Sequence, residues 1–288
     1  MKKDELHIPL ELLEAIRKGE CVPIIGAGFS LNAILPGGAR MPLWNDLCEE
    51  VAIRLNEESK GDPIKDLSNY CDKNKKWGLV NLLRDCLHIR TAKPGPAHIE
   101  FATLPFNQVI TTNFDFLLER AYEATGKSYL PVVDEDMLTF SPAIGETKLI
   151  KMHGDLHHPS LLVVTEDDYD GFSINRQRMF LAITSLLINN SILFIGYSID
   201  DPDFRQIWSL IKKYFGEFRR PAYALVVDPT NSKIDEYTRR GVTKVISLPQ
   251  NKMGYGAALA SEFRAINREI SSDLKKNANR VLRKVSHE

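Results

Sequence analysis

The sequence is short of cysteine, of net charge and of long apolar runs, and each shortage removes a class of function. Only four cysteines occur among 288 residues, Cys21, Cys48, Cys71 and Cys86, and no two form a C-x-x-C pair. A cysteine zinc ribbon is excluded, and the four read as reduced core or surface thiols. Lys and Arg total 37 against 38 Asp and Glu, a formal net charge of −1. No overall basic field therefore draws the chain to nucleic acid or to a membrane surface. No apolar run is long enough to span a bilayer, and the opening Met-Lys-Lys-Asp-Glu lacks a signal-peptide core. The expectation is a cytoplasmic protein. G-x-x-x-x-G-K-[ST] is absent, which rules out a P-loop ATPase, and there is no internal repeat or low-complexity segment.

What is present is a globular composition, 43% hydrophobic and 26% charged, enough to bury a sizeable core. "CVPII", "FNQVITT", "TKLIKMH", "SILFIGYS", "AYALVVD" and "VTKVISLP" read as strands, most of them continuously apolar. Helical spacing appears ahead of the first, in "LELLEAIRKG", and between later ones, in "NFDFLLERAYEATG" and "IDDPDFRQIWSLIKKYFG". Such alternation predicts an α/β fold, a Rossmann-like mostly parallel sheet with helices on both faces. The alternation breaks over about 42–100, where helical patterns cover "PLWNDLCEEVAIRL", Ile64–Asp72 and Trp77–Ile89. This block predicts a small helical subdomain inserted in a single domain spanning 1–288. The segment 254–288 reads as a C-terminal helix, its apolar stripe running from Phe263 through Ile266, Ile270, Leu274, Ala278, Val281 and Leu282 to Val285.

Four polar clusters fall just past strand ends, where open α/β sheets bind ligands. "GAGFS" offers Gly26 and Gly28 for a tight turn and close approach to a pyrophosphate, with Ser30 as an extra donor. Leu31 stands where a dinucleotide fingerprint has its third glycine, and no acidic second strand follows, which disfavours an ordinary dehydrogenase. "TTNFD" supplies Thr112, Asn113 and Asp115; an amide there orients a water or ribose hydroxyl, or else caps the next helix. "KMHGD" ends a strand on His153, a group able to take a proton near neutral pH. His157 and His158 follow in an expected exposed loop, at a spacing that matches no zinc pattern. "IGYSIDDPDF" brings Gly196 and Ser198. Its Asp200, Asp201 and Asp203 cap the next helix ahead of Pro202, or alternatively hold a magnesium ion.

In this order, "GAGFS", "TTNFD", "KMHGD" and "FIGYSIDDPDF" resemble the sirtuin-like NAD-hydrolase domains of bacterial anti-phage defence systems, from about Cys21 to Phe204. The resemblance implies NAD in the crevice as substrate, catalysis by Asn113 and His153, and no metal. It implies Gly26, Ala27, Gly28 and Ser30 near the pyrophosphate, Asp115 toward the nicotinamide end, Gly196 and Ser198 near the adenosine ribose, and Thr112 among the cofactor-binding residues. Two departures from sirtuin deacylases stand out. No cysteine follows Cys86 to build their zinc ribbon, and "RMPLWNDL" replaces their segment after the glycine loop. The expected reaction is cleavage of the nicotinamide–ribose bond to nicotinamide and ADP-ribose, in abortive infection. Self-assembly into a homo-oligomer, or an activating partner such as a defence ATPase or nucleic-acid sensor, would hold it in check. Protein deacylation, ADP-ribosyl transfer and a non-catalytic NAD- or ADP-ribose-sensing module are the alternatives; binding alone needs neither Asn113 nor His153.

Overall fold

A computed structural model describes residues 5–199, 201–250 and 254–285, with side chains described to Ser272. The chain runs α1 (Leu10–Arg17), β1 (Cys21–Ile25), α2 (Ala27–Ser30), α3 (Trp44–Leu55), α4 (Pro63–Cys86) and α5 (Pro96–Ala102). It continues through β2 (Gln108–Thr111), α6 (Leu117–Thr125), β3 (Tyr129–Val132), β4 (Thr147–Lys151), α7 (Glu166–Asn175) and α8 (Gln177–Asn189). The last elements are β5 (Ser191–Ile195), α9 (Pro202–Phe215), β6 (Ala222–Val227), α10 (Asn231–Arg239), β7 (Lys244–Leu248) and α11 (Tyr255–Val285).

The seven strands form one sheet in the order β3-β4-β2-β1-β5-β6-β7, and every pairing is parallel. The expected Rossmann-like α/β architecture is therefore the one adopted. The chain builds outward from β1 on one side through β2 and β4, then on the other through β5, β6 and β7. That reversal leaves a crevice at the carboxyl ends beside β1.

Period-2 alternation with both faces covered explains why β1 is wholly apolar and β5 is apolar after Ser191. Cys21 and Ile25 of β1, with Leu193 and Ile195 of β5, face a core shared with α1, α5 and α11. Val22 and Ile24, with Ile192 and Phe194, face a second core closed by α7, α8 and α9. Phe29, Phe101 and Phe263 meet edge-on, at centroid separations of 5.6–6.2 Å, and tie the glycine-loop segment to α5 and α11. A third cluster joins Leu47 and Val51 of α3 to Leu67, Leu79 and Leu83 of α4, and it takes in Phe114, Leu117 and Leu156. The 42–100 block is thus packed directly on the loops after β2 and β4. α4 is not one continuous helix: Lys75 has a non-helical φ of 63°, between the two helical stretches read from the sequence. Among the described residues, no helix is long and apolar enough to cross a membrane.

Candidate active site

Strand register sets the geometry of the site. Ile25 pairs with both Thr111 and Ile195, and Thr111 pairs with Lys151. Four strands therefore end in one rank, and the four loops that follow begin at Gly26, Thr112, Met152 and Gly196. The loops after β1, β2 and β5 border a cleft of about 670 Å³, within the usual ~300–1,000 Å³ of small-molecule sites, while the loop after β4 adds no residue to its wall. Gly26, Ala27, Gly28, Thr112, Gly196 and Ser198 all line it. The helical block adds Trp44, Asn45 and Asp62; α7 adds Tyr169, and α10 adds Lys233 and Tyr237.

The glycines let the first and last loops touch. Gly28 donates its N–H to the Gly196 carbonyl at 2.9 Å. Gly196 has φ +60°, and a Cβ on it would lie 2.1 Å from the Phe29 nitrogen. One on Gly26 would lie 2.5 Å from the Gly196 oxygen. No side chain fits between these backbones.

Asn113 is held from both sides. Its Nδ2 donates to the Gly26 carbonyl at 3.1 Å and to Ser30 Oγ at 3.0 Å, while its N–H donates to Thr111 Oγ1 at 3.1 Å. Its side-chain oxygen accepts no hydrogen bond among the described residues. Ser30 Oγ in turn donates to Asp115 Oδ2 at 2.6 Å. The first amide of α6, that of Leu117, goes to Asp115 Oδ1 at 3.0 Å, so Asp115 serves that helix end and neither Thr112 nor Asn113 does. Lys151 is almost fully buried and donates to the Asp115 carbonyl and to Glu119 Oε1, each at 2.6 Å. A hollow of about 30 Å³, room for a water molecule, lies against Ala27, Ser30, Asn113 and Asp115. It shares Ala27, Trp44 and Thr112 with the cleft.

His153 is placed differently. It is 0% exposed and lines neither the hollow nor the cleft. Tyr169 and Phe172 stand edge-on to its ring, at 5.2 and 6.0 Å. Asp201 Oδ2 lies 3.5 Å from Nδ1 and Asp203 Oδ2 lies 3.3 Å from Nε2. Burial alone would favour the neutral ring. The two carboxylates outweigh it, so the imidazole titrates above the ordinary histidine value. Burial pushes the Asp203 carboxyl up to about 6, with His153 pulling the other way. Among the described residues these three side chains are the group within reach of a shared metal ion. The carboxylates meet opposite nitrogens of the ring, however, which suits a proton better than one cation.

The sequence favours the aspartates as caps of α9. Asp201 does cap α9, its Oδ1 accepting the Phe204 N–H at 3.0 Å ahead of Pro202, but Asp203 turns to His153 instead. Asp200 lies outside the described residues. His157 and His158 are exposed, as expected; His157 stacks on Phe116 at 4.1 Å and His158 pairs with Asp155 at 2.8 Å. Tyr169 was not singled out. Its signal was the capping box at Thr165 and Asp168, which announces α7.

Residues 107–244 match the family described as "SIR2-like domain". Over that segment the chain is similar to SIR2-like domains. The segment holds the rank of loops at Thr112, His153 and Gly196, while the glycine loop at Gly26 precedes it. The chain is 28% identical over 202 residues to the NAD(+) hydrolase ThsA of Bacillus cereus (strain MSX-D12), covering 70% of this chain and 42% of that protein. It is 29% identical over 226 residues to the NAD(+) hydrolase ThsA of Cytobacillus dafuensis, covering 77% and 44%. Against the Defense-associated sirtuin 2 of Bacillus subtilis it is 26% identical over 253 residues, covering 81% and 23%. The chain thus spans less than half the length of these relatives.

Proposed function

We propose that this chain cleaves NAD at the nicotinamide–ribose bond, releasing nicotinamide and ADP-ribose, as the NAD-depleting effector of a bacterial anti-phage system. The observation that carries the reading is the cleft walled by the loops after β1, β2 and β5, with Asn113 beside a water-sized hollow at its edge. Relatives named as NAD hydrolases and as a defence-associated sirtuin support it. Nicotinamide departs as a neutral molecule while positive charge builds on the ribose, so the enzyme must hold the sugar and one nucleophile in line. Asn113 would hold the attacking water with its unpaired oxygen. His153 would receive the proton. Gly26, Ala27, Gly28 and Ser30 would lie along the pyrophosphate, and Gly196 and Ser198 along the adenosine ribose. No step requires a metal. Activity would be gated by self-assembly into a homo-oligomer or by an activating partner protein.

The test is nicotinamide release from NAD by the purified chain, alone and with candidate activators, in the presence of a chelator. Asn113→Ala and His153→Ala should each lower turnover by ~10²–10⁴-fold with the fold retained. A folded variant with full turnover removes that residue from the mechanism, and a wild type that releases no nicotinamide under any of these conditions overturns the reading.

A further inference from the structure

His153 has no direct path to the cleft, and the side chain standing between them is itself an acid–base group. Asp201 lines the cleft. Its Oδ1 is fixed by the Phe204 N–H, and its Oδ2 lies 3.5 Å from His153 Nδ1. Behind the ring, Asp203 Oδ2 lies 3.3 Å from Nε2, with that side chain only 4% exposed. Nδ1, Nε2 and Asp203 Oδ2 are all buried without a hydrogen-bond partner. Buried polar atoms seldom stay unpaired. A closure of a few tenths of an ångström would join all three into one chain of hydrogen bonds, and such bonds often tighten only when substrate is bound.

We propose that Asp201 is the group that meets the substrate's proton, and that His153 works through it in a buried Asp201–His153–Asp203 relay. This rests on the NAD-cleaving reading above. In the step, the attacking water's O–H bond breaks and its oxygen forms the new bond to the ribose anomeric carbon. The carbon–nitrogen bond breaks, and its electron pair returns to the nicotinamide ring, which leaves neutral. The proton passes through the Asp201 carboxylate to Nδ1 of a neutral His153. The product is an imidazolium with a carboxylate at each nitrogen. Asp201 and Asp203 of α9 favour that charged ring, and Arg176 at the end of α7 opposes it. Tyr169 and Phe172 wall it from α7.

Asp201→Asn tests the relay without removing the helix cap, because Asn and Asp cap equally well. Turnover should fall by ~10²-fold or more, while ADP-ribose affinity by calorimetry and the thermal midpoint stay close to wild type. Asp203→Asn should slow turnover less and move the acid limb of the pH–rate profile to lower pH, since a charge that favours the imidazolium is gone. An Asp201→Asn chain as active as wild type, or more active, overturns the relay alone; the latter outcome would make the carboxylate clamp an inhibitory contact. Loss of ADP-ribose affinity in parallel with turnover makes Asp201 a binding residue and also overturns it. An unmoved acid limb in Asp203→Asn reduces that residue to packing and overturns its place in the relay. A wild type that releases no nicotinamide overturns the parent reading, and the relay with it.

Discussion

His98 is a second buried imidazole, and its surroundings shift its titration in the opposite direction from that of His153. Its ring packs tilted against Phe29, with centroids 4.5 Å apart, and its Nδ1 accepts the Gly95 N–H at 3.2 Å. A ring that accepts at Nδ1 must carry its single proton on Nε2. Burial is the main influence, and it lowers the pKa from 6.5 to about 4, with Asp115 pulling the other way. A depressed value stabilises the fold above the unfolded pKa and is lost as pH falls through the folded one. The window is therefore between about pH 6.5 and 4, and the loss reaches about 3 kcal/mol at ~1.4 kcal/mol per unit. His98→Asn keeps an acceptor near Nδ1 but cannot be charged. Thermal unfolding across that window should show a shallower acid loss in His98→Asn than in wild type. Equal slopes would place the acid sensitivity elsewhere.

Among the elements, the loops after β1 and β5 show what a glycine does when two backbones meet. Gly126, which ends α6, has φ +66° with nothing within 4 Å of an added Cβ; Gly196 has a similar φ with the Phe29 nitrogen 2.1 Å away. Gly126→Ala should therefore cost only the left-handed backbone conformation, about 1–2 kcal/mol, a fall of a few degrees in thermal midpoint. Gly196→Ala should cost several times more and strip the cleft of ligand binding, measured by calorimetry with ADP-ribose. Similar midpoints in the two variants would mean that the loops can part freely. These loops were legible in the sequence because buried parallel strands are continuous apolar runs that stop abruptly at a glycine or polar turn. β3 was not legible: Pro131 interrupts it and only Val132 is buried, as befits an edge strand. α7 and α8 were also passed over, since they join at Arg176 with no glycine or proline to mark the join. That gap concealed Tyr169. His153 illustrates a different limit: its strand-end position could be read locally, but its separation from the cleft depends on α7 and α9 meeting over it, a contact no local pattern contains.

For the whole molecule, the proposed NAD cleavage needs a restraint, since unchecked it would deplete the cell. α11 bears on it. The helix spans 31 residues, roughly 46 Å at ~1.5 Å per residue. Leu259, Ala260, Phe263, Ile266 and Ile270 are buried in the core shared with α1 and α5, so the first half of the helix belongs to the fold. The rest of the sequence stripe, Leu274, Ala278, Val281, Leu282 and Val285, consists of side chains outside the described residues. The same apolar spacing continues there beside Lys275, Lys276, Arg280, Arg283 and Lys284, which is the pattern of a helix with one face to cover. We propose that this distal half reaches a second copy of the chain or the activating partner. Removing residues from Leu274 onward leaves every buried contact of Phe263, Ile266 and Ile270 in place, so the truncated chain should fold with an unchanged thermal midpoint. Its mass by light scattering should drop to that of a monomer, and NAD cleavage should no longer respond to an activator. A truncated chain that keeps its oligomeric mass and full cleavage would assign the distal helix to packing and the restraint to contacts elsewhere.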